Sequence, residues 1–312
     1  MAGRPRPKCQ AVQREKWIVA REAELLPVPY YHIVFTLPAC FNELLPKYAK
    51  QVYGSLFKAS WHTVQDFAQD HKYLGAKTGM VAILHTWGQQ LWLHPHLHCI
   101  VPGGGVTKEG KWKYSRQKGK YLFPKSALSK VFRAKFMAYL REQITIPQQI
   151  AKQAFEKGWV VYAYAKQPFT KTEHVVEYLG RYTHKIAISN HRLTVVNKDR
   201  VCFTYKDYRQ AGKQKQCSLS GVEFLRRFSQ HILPAGFVRI RHYGILASKN
   251  KATLLNEAKK DLGQPRWEKV VIGWQDMAEK KLGITPDTCT CCKTATMIIV
   301  GIINPERGPP VQ

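Results

Sequence analysis

No apolar run in the sequence is long enough to cross a bilayer: the longest, WVVYAYA (159–165) and MIIVGII (297–303), fall far short of the ~20 residues a spanning helix needs. The start, MAGRPRPKCQ, is basic but has no apolar stretch behind it, which argues against a secretory signal. Acid is scarce as well, with 21 Asp and Glu against 49 Lys and Arg, so the formal charge is +28. A chain of this length can bury a sizeable core without staples, so its 8 cysteines are expected to be free thiols or metal ligands in a reducing cytoplasm. The charge excess calls for a polyanionic partner, and nucleic acid comes first.

The basic residues are densest in KEGKWKYSRQKGKY (108–121), FLRRF (224–228) and VRIRHYG (238–244), where cations alternate with aromatics. Single-stranded nucleic acid needs that combination, because phosphates want neutralising and unpaired bases want a stacking surface. Lys111, Lys113, Arg226, Arg227, Arg239 and Arg241 are the candidate DNA-binding residues.

Along the chain, a short helix is expected over about 10–25, a strand at VPYYHIVFTLPA, and a helix within 41–74. KTGMVAILHTWGQQLWLHPHLHCIVPGGG reads as a strand hairpin turning near Gln90. A small hairpin (106–122), a helix over 125–157 broken at Pro147, a strand at WVVYAYAKQ and a helix at TEHVVEYLGRYTH follow. Strands are then expected at KIAISNHRLTVV and RVCFTYKDY, a polar loop, a helix at VEFLRRFSQHIL, and helix with loops over 251–282. This order predicts an α+β fold, an antiparallel sheet covered by helices.

Residues 91–105, LWLHPHLHCIVPGGG, carry three histidines at alternate positions. With 12 histidines in 312 residues such a triplet is expected by chance only about 0.02 times, so it calls for a reason. Strand alternation puts His96 and His98 on one face and Leu97, Cys99 and Val101 on the other, while Pro95 turns His94 away. Two imidazoles hold a metal poorly alone. Across the hairpin His85 is the candidate third ligand, with Gln89, His94 and His184 in reserve.

In EYLGRYTHK, Tyr178 and Tyr182 are four apart and share a helix face. A phenol has a pKa near 10, so ionising it at neutral pH costs about 4 kcal/mol unless the site helps. Arg181, His184 and Lys185 are at hand to stabilise a phenolate or a phosphate. A metal site, paired tyrosines and a strongly basic chain are together what covalent cleavage of a DNA strand requires.

HPHLHCIVPGGG, LHTWGQ, YYHIVFTLP, EYLGRYTHKIAIS and RHYGILA resemble the rolling-circle transposases of the insertion sequence 91 type, two-tyrosine members of the HUH endonucleases. The resemblance runs from about residue 15 to the C-terminus. It implies a ferredoxin-like or RRM-like sheet, His96 and His98 as ligands of Mg²⁺ or Mn²⁺ on a central strand, and Tyr178 and Tyr182 as nucleophiles. It also implies single-stranded element ends and target DNA as partners, in the bacterial cytoplasm at the nucleoid. By this reading residues 1–26 are a remnant of a zinc-binding region, 27–195 the catalytic domain, and 196–312 a basic region with a Cys-containing tail. Of the family's N-terminal cysteine pairs only Cys9 is present, and Cys289 and Cys292 form half of a zinc knuckle. The alternative expectation is a truncated copy that binds DNA without cleaving it.

Overall fold

In Gly79–Trp87 (β2) and Leu93–Pro102 (β3) successive side chains point to opposite faces, so each strand buries one row against helices. The computed structural model describes residues 10–116, 122–163, 175, 187–270 and, discontinuously, residues between 273 and 298. β2 and β3 are joined by Tyr30–Thr36 (β1), Val161–Ala163 (β6) and Ile240–Gly244 (β10) in a five-stranded sheet ordered β10-β2-β3-β1-β6. Every pairing is antiparallel, and β3 is the central strand. The α+β expectation, an antiparallel sheet with helices, holds.

One face of the sheet, with Phe35, Leu84, Leu97, Cys99 and Val101, packs on helices Leu45–Gln69 (α2) and Lys125–Arg141 (α3). Phe41, Phe132, Phe136 and Trp159 knit this layer together through edge and tilted ring contacts 5.0–6.3 Å apart. Helix Gln148–Glu156 (α4) follows Pro147, where the break was expected. The opposite face carries the histidines at one end. At the other end a second core gathers Leu26, Val28, Tyr30, Val81, Ile83, Ile100, Val175, Ile245 and Leu255.

That second core joins helix Gln10–Glu22 (α1) to the far end of the chain. Glu24, buried just after α1, pairs with Arg21 and with Lys251 in the π-helix Lys251–Leu255, which runs into helix Asn256–Asp261 (α6). A hairpin of Gly104–Val106 (β4) and Trp112–Tyr114 (β5) abuts α6, with Asp261 accepting from the Trp112 backbone N–H at 2.8 Å.

Two elements differ from expectation. The segment taken for a polar loop before VEFLRRFSQHIL contains Lys213–Ser220 (β9), which pairs along its whole length with Arg200–Asp207 (β8). Its inward residues, Lys215, Cys217 and Leu219, are too mixed in polarity to show a period of two. KIAISNHRLTVV is extended only over Leu193–Val196 (β7), because a 3₁₀ turn at Asn190–Arg192 interrupts it. Over 251–270 helix and loop follow one another as expected, with helix to Asp261 and loop beyond. β7, β8 and β9 form a separate three-stranded sheet followed by helix Gly221–Ser229 (α5), and β10 returns to the edge of the main sheet.

Gly244 ends β10 with φ +60°, and a Cβ there would lie 2.0 Å from the Thr78 carbonyl oxygen. Gly54, inside α2, has open space around its Cα. Gly244→Ala is therefore expected to lower unfolding stability by about 2 kcal/mol or more, and Gly54→Ala to raise it by about 0.5–1 kcal/mol, both measured by urea denaturation.

Candidate metal centre

Antiparallel register sets His85 directly opposite His96, and Ile83 opposite His98. Paired residues point to the same face, so His85, His96 and His98 converge, and their ligating nitrogens all lie within 4.8 Å of one another. Among the described residues this is the grouping of three or more His, Cys, Asp or Glu placed to hold an ion. Cys289 and Cys292 do not belong to such a group, and Cys9 lies outside the described residues. His94 is exposed and its ring stands 5.1 Å from that of His96, outside the triad. Gln89 contributes its backbone instead, accepting a hydrogen bond from Arg192.

The hydrogen bonds around the triad select tautomers. His96 Nδ1 lies 2.6 Å from the carbonyl oxygen of His94 and must donate to it, which leaves Nε2 with a lone pair. Burial holds the His96 imidazole neutral, with its pKa pulled down to about 4. His98 turns Nε2 toward His96 Nε2, 3.2 Å away, and its Nδ1 lies 2.9 Å from Nε2 of His32. If His98 Nδ1–H donates to His32, the His98 Nε2 lone pair also faces the centre. His32, on β1, is a residue the sequence reading passed over. Its signal was a polar side chain inside the otherwise apolar YYHIVF, where burial requires a partner.

Trp87 stacks on His85 with ring centroids 4.7 Å apart, just past an irregularity in the β2–β3 pairing. Beyond it the hairpin tip is gripped from outside. Three successive carbonyls, of Gln89, Gln90 and Leu91, accept from Arg192 (2.5 Å), Arg227 (3.3 Å) and His231 (3.1 Å). Arg227 also lies over the Trp92 ring at 3.5 Å and pairs with Glu223. Leu91 has φ +61° and is fully buried with Ala187, Ile188 and Phe203.

The other cations singled out in the sequence are dispersed. Arg226 also pairs with Glu223, Lys111 pairs with Asp261, and Lys113 is exposed on β5. Arg239 lies 5.6 Å from the Trp87 ring centroid, and burial lowers its pKa to about 10. Arg241 lies between the rings of Phe57 and Phe237, on the helix-covered side. Tyr178, Arg181, Tyr182, His184 and Lys185 lie outside the described residues. The residues flanking them are described. Val175 is buried with Ile83 and Ile100, on the histidine face, and Ala187 and Ile188 pack on Leu91 beside Trp87.

A family model described as "Putative transposase" matches residues 79–253, from the first histidine strand past β10. The chain belongs to this transposase family. A second model, the "Transposase zinc-binding domain" of the insertion sequence 91 type, matches residues 3–37 of the chain. "Putative transposase y4qJ" of Sinorhizobium fredii is 38% identical over 325 aligned residues, covering 97% of this chain and 81% of that protein. The "Transposase for insertion sequence element IS801" of Pseudomonas savastanoi pv. phaseolicola is 30% identical over 318, covering 96% and 74%. No solved structure matches the chain. Among the described residues, no helix is long and apolar enough to cross a membrane.

Three imidazoles fit a divalent transition ion with positions left open. Alanine at His85, His96 or His98 is expected to weaken Mn²⁺ or Co²⁺ binding at least a hundredfold in calorimetric titration. His32→Phe is expected to weaken it about 10–100-fold through loss of the hydrogen bond that orients His98, whereas His32→Gln, which keeps an acceptor, retains most of the affinity.

Proposed function

We propose that the chain nicks and rejoins single-stranded DNA at the ends of a mobile element through a 5′-phosphotyrosine intermediate, in rolling-circle transposition. The observation that carries this reading is how the tyrosine segment is flanked. Val175 packs beside Ile83 and Ile100 on the histidine face, and Ala187 and Ile188 pack at the hairpin tip next to Trp87, which stacks on His85. Tyr178 follows Val175 by three residues and is therefore within ~11 Å of it along the backbone. The two anchors lie on the sheet face that carries the three imidazoles and at the hairpin tip beside Trp87.

In the reaction, the phenolic oxygen of Tyr178 or Tyr182 attacks the scissile phosphorus and the bond to the 3′ oxygen breaks. The 5′ phosphate stays on the tyrosine, the phenolic proton passes to a neighbouring base or to water, and the departing 3′ oxygen takes up a proton. His85, His96 and His98 would hold the divalent ion, which when bound supplies Lewis-acid polarisation of the phosphate. An all-imidazole donor set suits Mn²⁺ better than Mg²⁺, which prefers oxygen ligands. Arg181, His184 and Lys185, one to three residues from a tyrosine, would steady the phenolate or the phosphate. The second tyrosine would take the other end or the target, and the reverse attack by a 3′-OH on the phosphotyrosine rejoins the strand. The substrate chemistry accords with a charge of +28 and with the transposase family.

Incubating the protein with a labelled single-stranded terminus and Mn²⁺ should give a protease-sensitive covalent adduct on a denaturing gel. Tyr178→Phe and Tyr182→Phe should each weaken it and together abolish it, with DNA binding intact; His96→Ala should abolish it too. Absence of an adduct from the unaltered chain would leave a DNA-binding protein without chemistry. An adduct that survives both tyrosine changes would assign the nucleophile elsewhere.

A further inference from the structure

The sheet edge opposite β10 carries a groove separate from the histidine centre. Here β6 and the two residues before it alternate between two sides: Trp159 and Val161 are buried under the helices, while Val160 and Tyr162 are 42% and 48% exposed. Alongside, Ser126, Ser129, Lys130 and Arg133, spaced i, i+3, i+4 and i+7, share one face of α3. Together with Lys125 and residues 158–162 they line a cavity of about 570 Å³ that has no acidic side chain in its wall. The floor is fixed: Ser129 Oγ donates to the Trp159 carbonyl at 2.6 Å, and Trp159 Nε1 donates to the Ala154 carbonyl at 2.7 Å.

Cations and aromatic faces are paired along this groove. Lys125 Nζ lies 5.0 Å from the Tyr162 ring centroid, and the Arg133 guanidinium lies 4.8 Å from that of Phe155, itself 49% exposed. Lys125 also occupies the first turn of α3, which has no side-chain cap and no acid there. A cation at the positive end of a 17-residue helix is unfavourable unless an anion joins it.

Register connects the groove to the histidines. Ile83 pairs with His98, His98 with Val34, and Val34 with Tyr162, so these four residues form one row across the sheet with side chains on the same face. Two strand spacings, about 10 Å, separate Tyr162 from His98 along it.

We propose that this groove is a binding site for single-stranded DNA, holding the nucleotides that flank the phosphate at the histidines. Tyr162 stacks a base, and Lys125, Lys130 and Arg133 neutralise the adjoining phosphates. This rests on the reading of the chain as a DNA-nicking transposase, but the groove is testable apart from the chemistry.

The test uses the full chain and a fluorescent mixed-sequence single strand longer than the ~4–16 nucleotides that one such platform covers, with anisotropy followed across a salt series. Tyr162→Ala should weaken binding about tenfold and Tyr162→Phe should restore it. Replacing both Lys130 and Arg133 by Gln should flatten the slope of log K against log salt by about 1.4, two phosphates at ~0.7 each. Lys130 is exposed and Arg133 half-buried, neither in the core, so this variant decides the matter even if Tyr162→Ala unfolds. Unchanged affinity and slope in the variants, or displacement of the strand by polyglutamate as readily as by unlabelled DNA, would overturn the groove. Adduct formation with Mn²⁺ on the same preparations separates the two readings. Groove effects without any adduct from the unaltered chain sink the nicking reaction alone, an adduct with unaffected variants sinks the groove alone, and an unaltered chain that binds no single strand sinks both.

Discussion

Everything at the histidine centre depends on the register between β2 and β3. Because side chains alternate faces, a slip of one residue would send His85 to the side packed by α2 and bring Leu84 or Thr86 opposite His96. A two-residue slip would keep the face but pull the three nitrogens apart. Register in a hairpin is set at its turn, and this turn does not rely on its own sequence. Gly88 N donates to the Trp92 carbonyl at 2.9 Å, and Leu91 sits in the left-handed region, which costs a non-glycine residue roughly 1–2 kcal/mol. The three outside donors, Arg192, Arg227 and His231, and the burial of the Leu91 side chain offset that strain. The small β7–β9 sheet and α5 thus act on the metal centre at a distance, by fixing the turn that fixes the register.

The same contacts change how the charge of the chain should be understood. Arg227, Arg239, Arg241 and Lys251 are spent inside the molecule, on carbonyls, aromatic faces and Glu24. An Arg side chain buried in this way gives geometry, through its planar fork and its stacking, more than it gives field. The positive potential available to a polyanion comes from residues such as Lys113, Lys125 and Lys130, which are exposed.

Several features were legible in the sequence because local spacing determines them. The alternation in HPHLHCIV gave the faces of β3, the Gly88–Gln90 stretch gave the hairpin, and the position of that turn gave His85 as the residue facing His96. His32 was not legible, since its partner lies 66 residues away and only the pairing of β1 with β3 brings the two rings together. β9 was hidden because its inward positions hold a lysine and a cysteine as well as a leucine, and a strand of that composition is defined by pairing with β8. The place of β10 in the main sheet was likewise beyond reach, because nothing local in RIRHYG says that it joins an edge more than 150 residues upstream. Cation patches such as FLRRF showed composition but not destination, which depends on which carbonyls and rings the fold brings near.

The core formed by Leu26, Val28, Ile83, Val175, Ile245 and Leu255 draws on both flanks of the chain and on the segment that leads into the tyrosines. Glu24 clamps it with Lys251, both side chains almost fully enclosed. Removal of either partner would strand a charge out of water. Trimming the chain to the two histidine strands and the tyrosine stretch would strip away the wall against which Val175 rests. A partial product of synthesis or proteolysis that lacks either flank therefore loses part of the core beneath the histidine face.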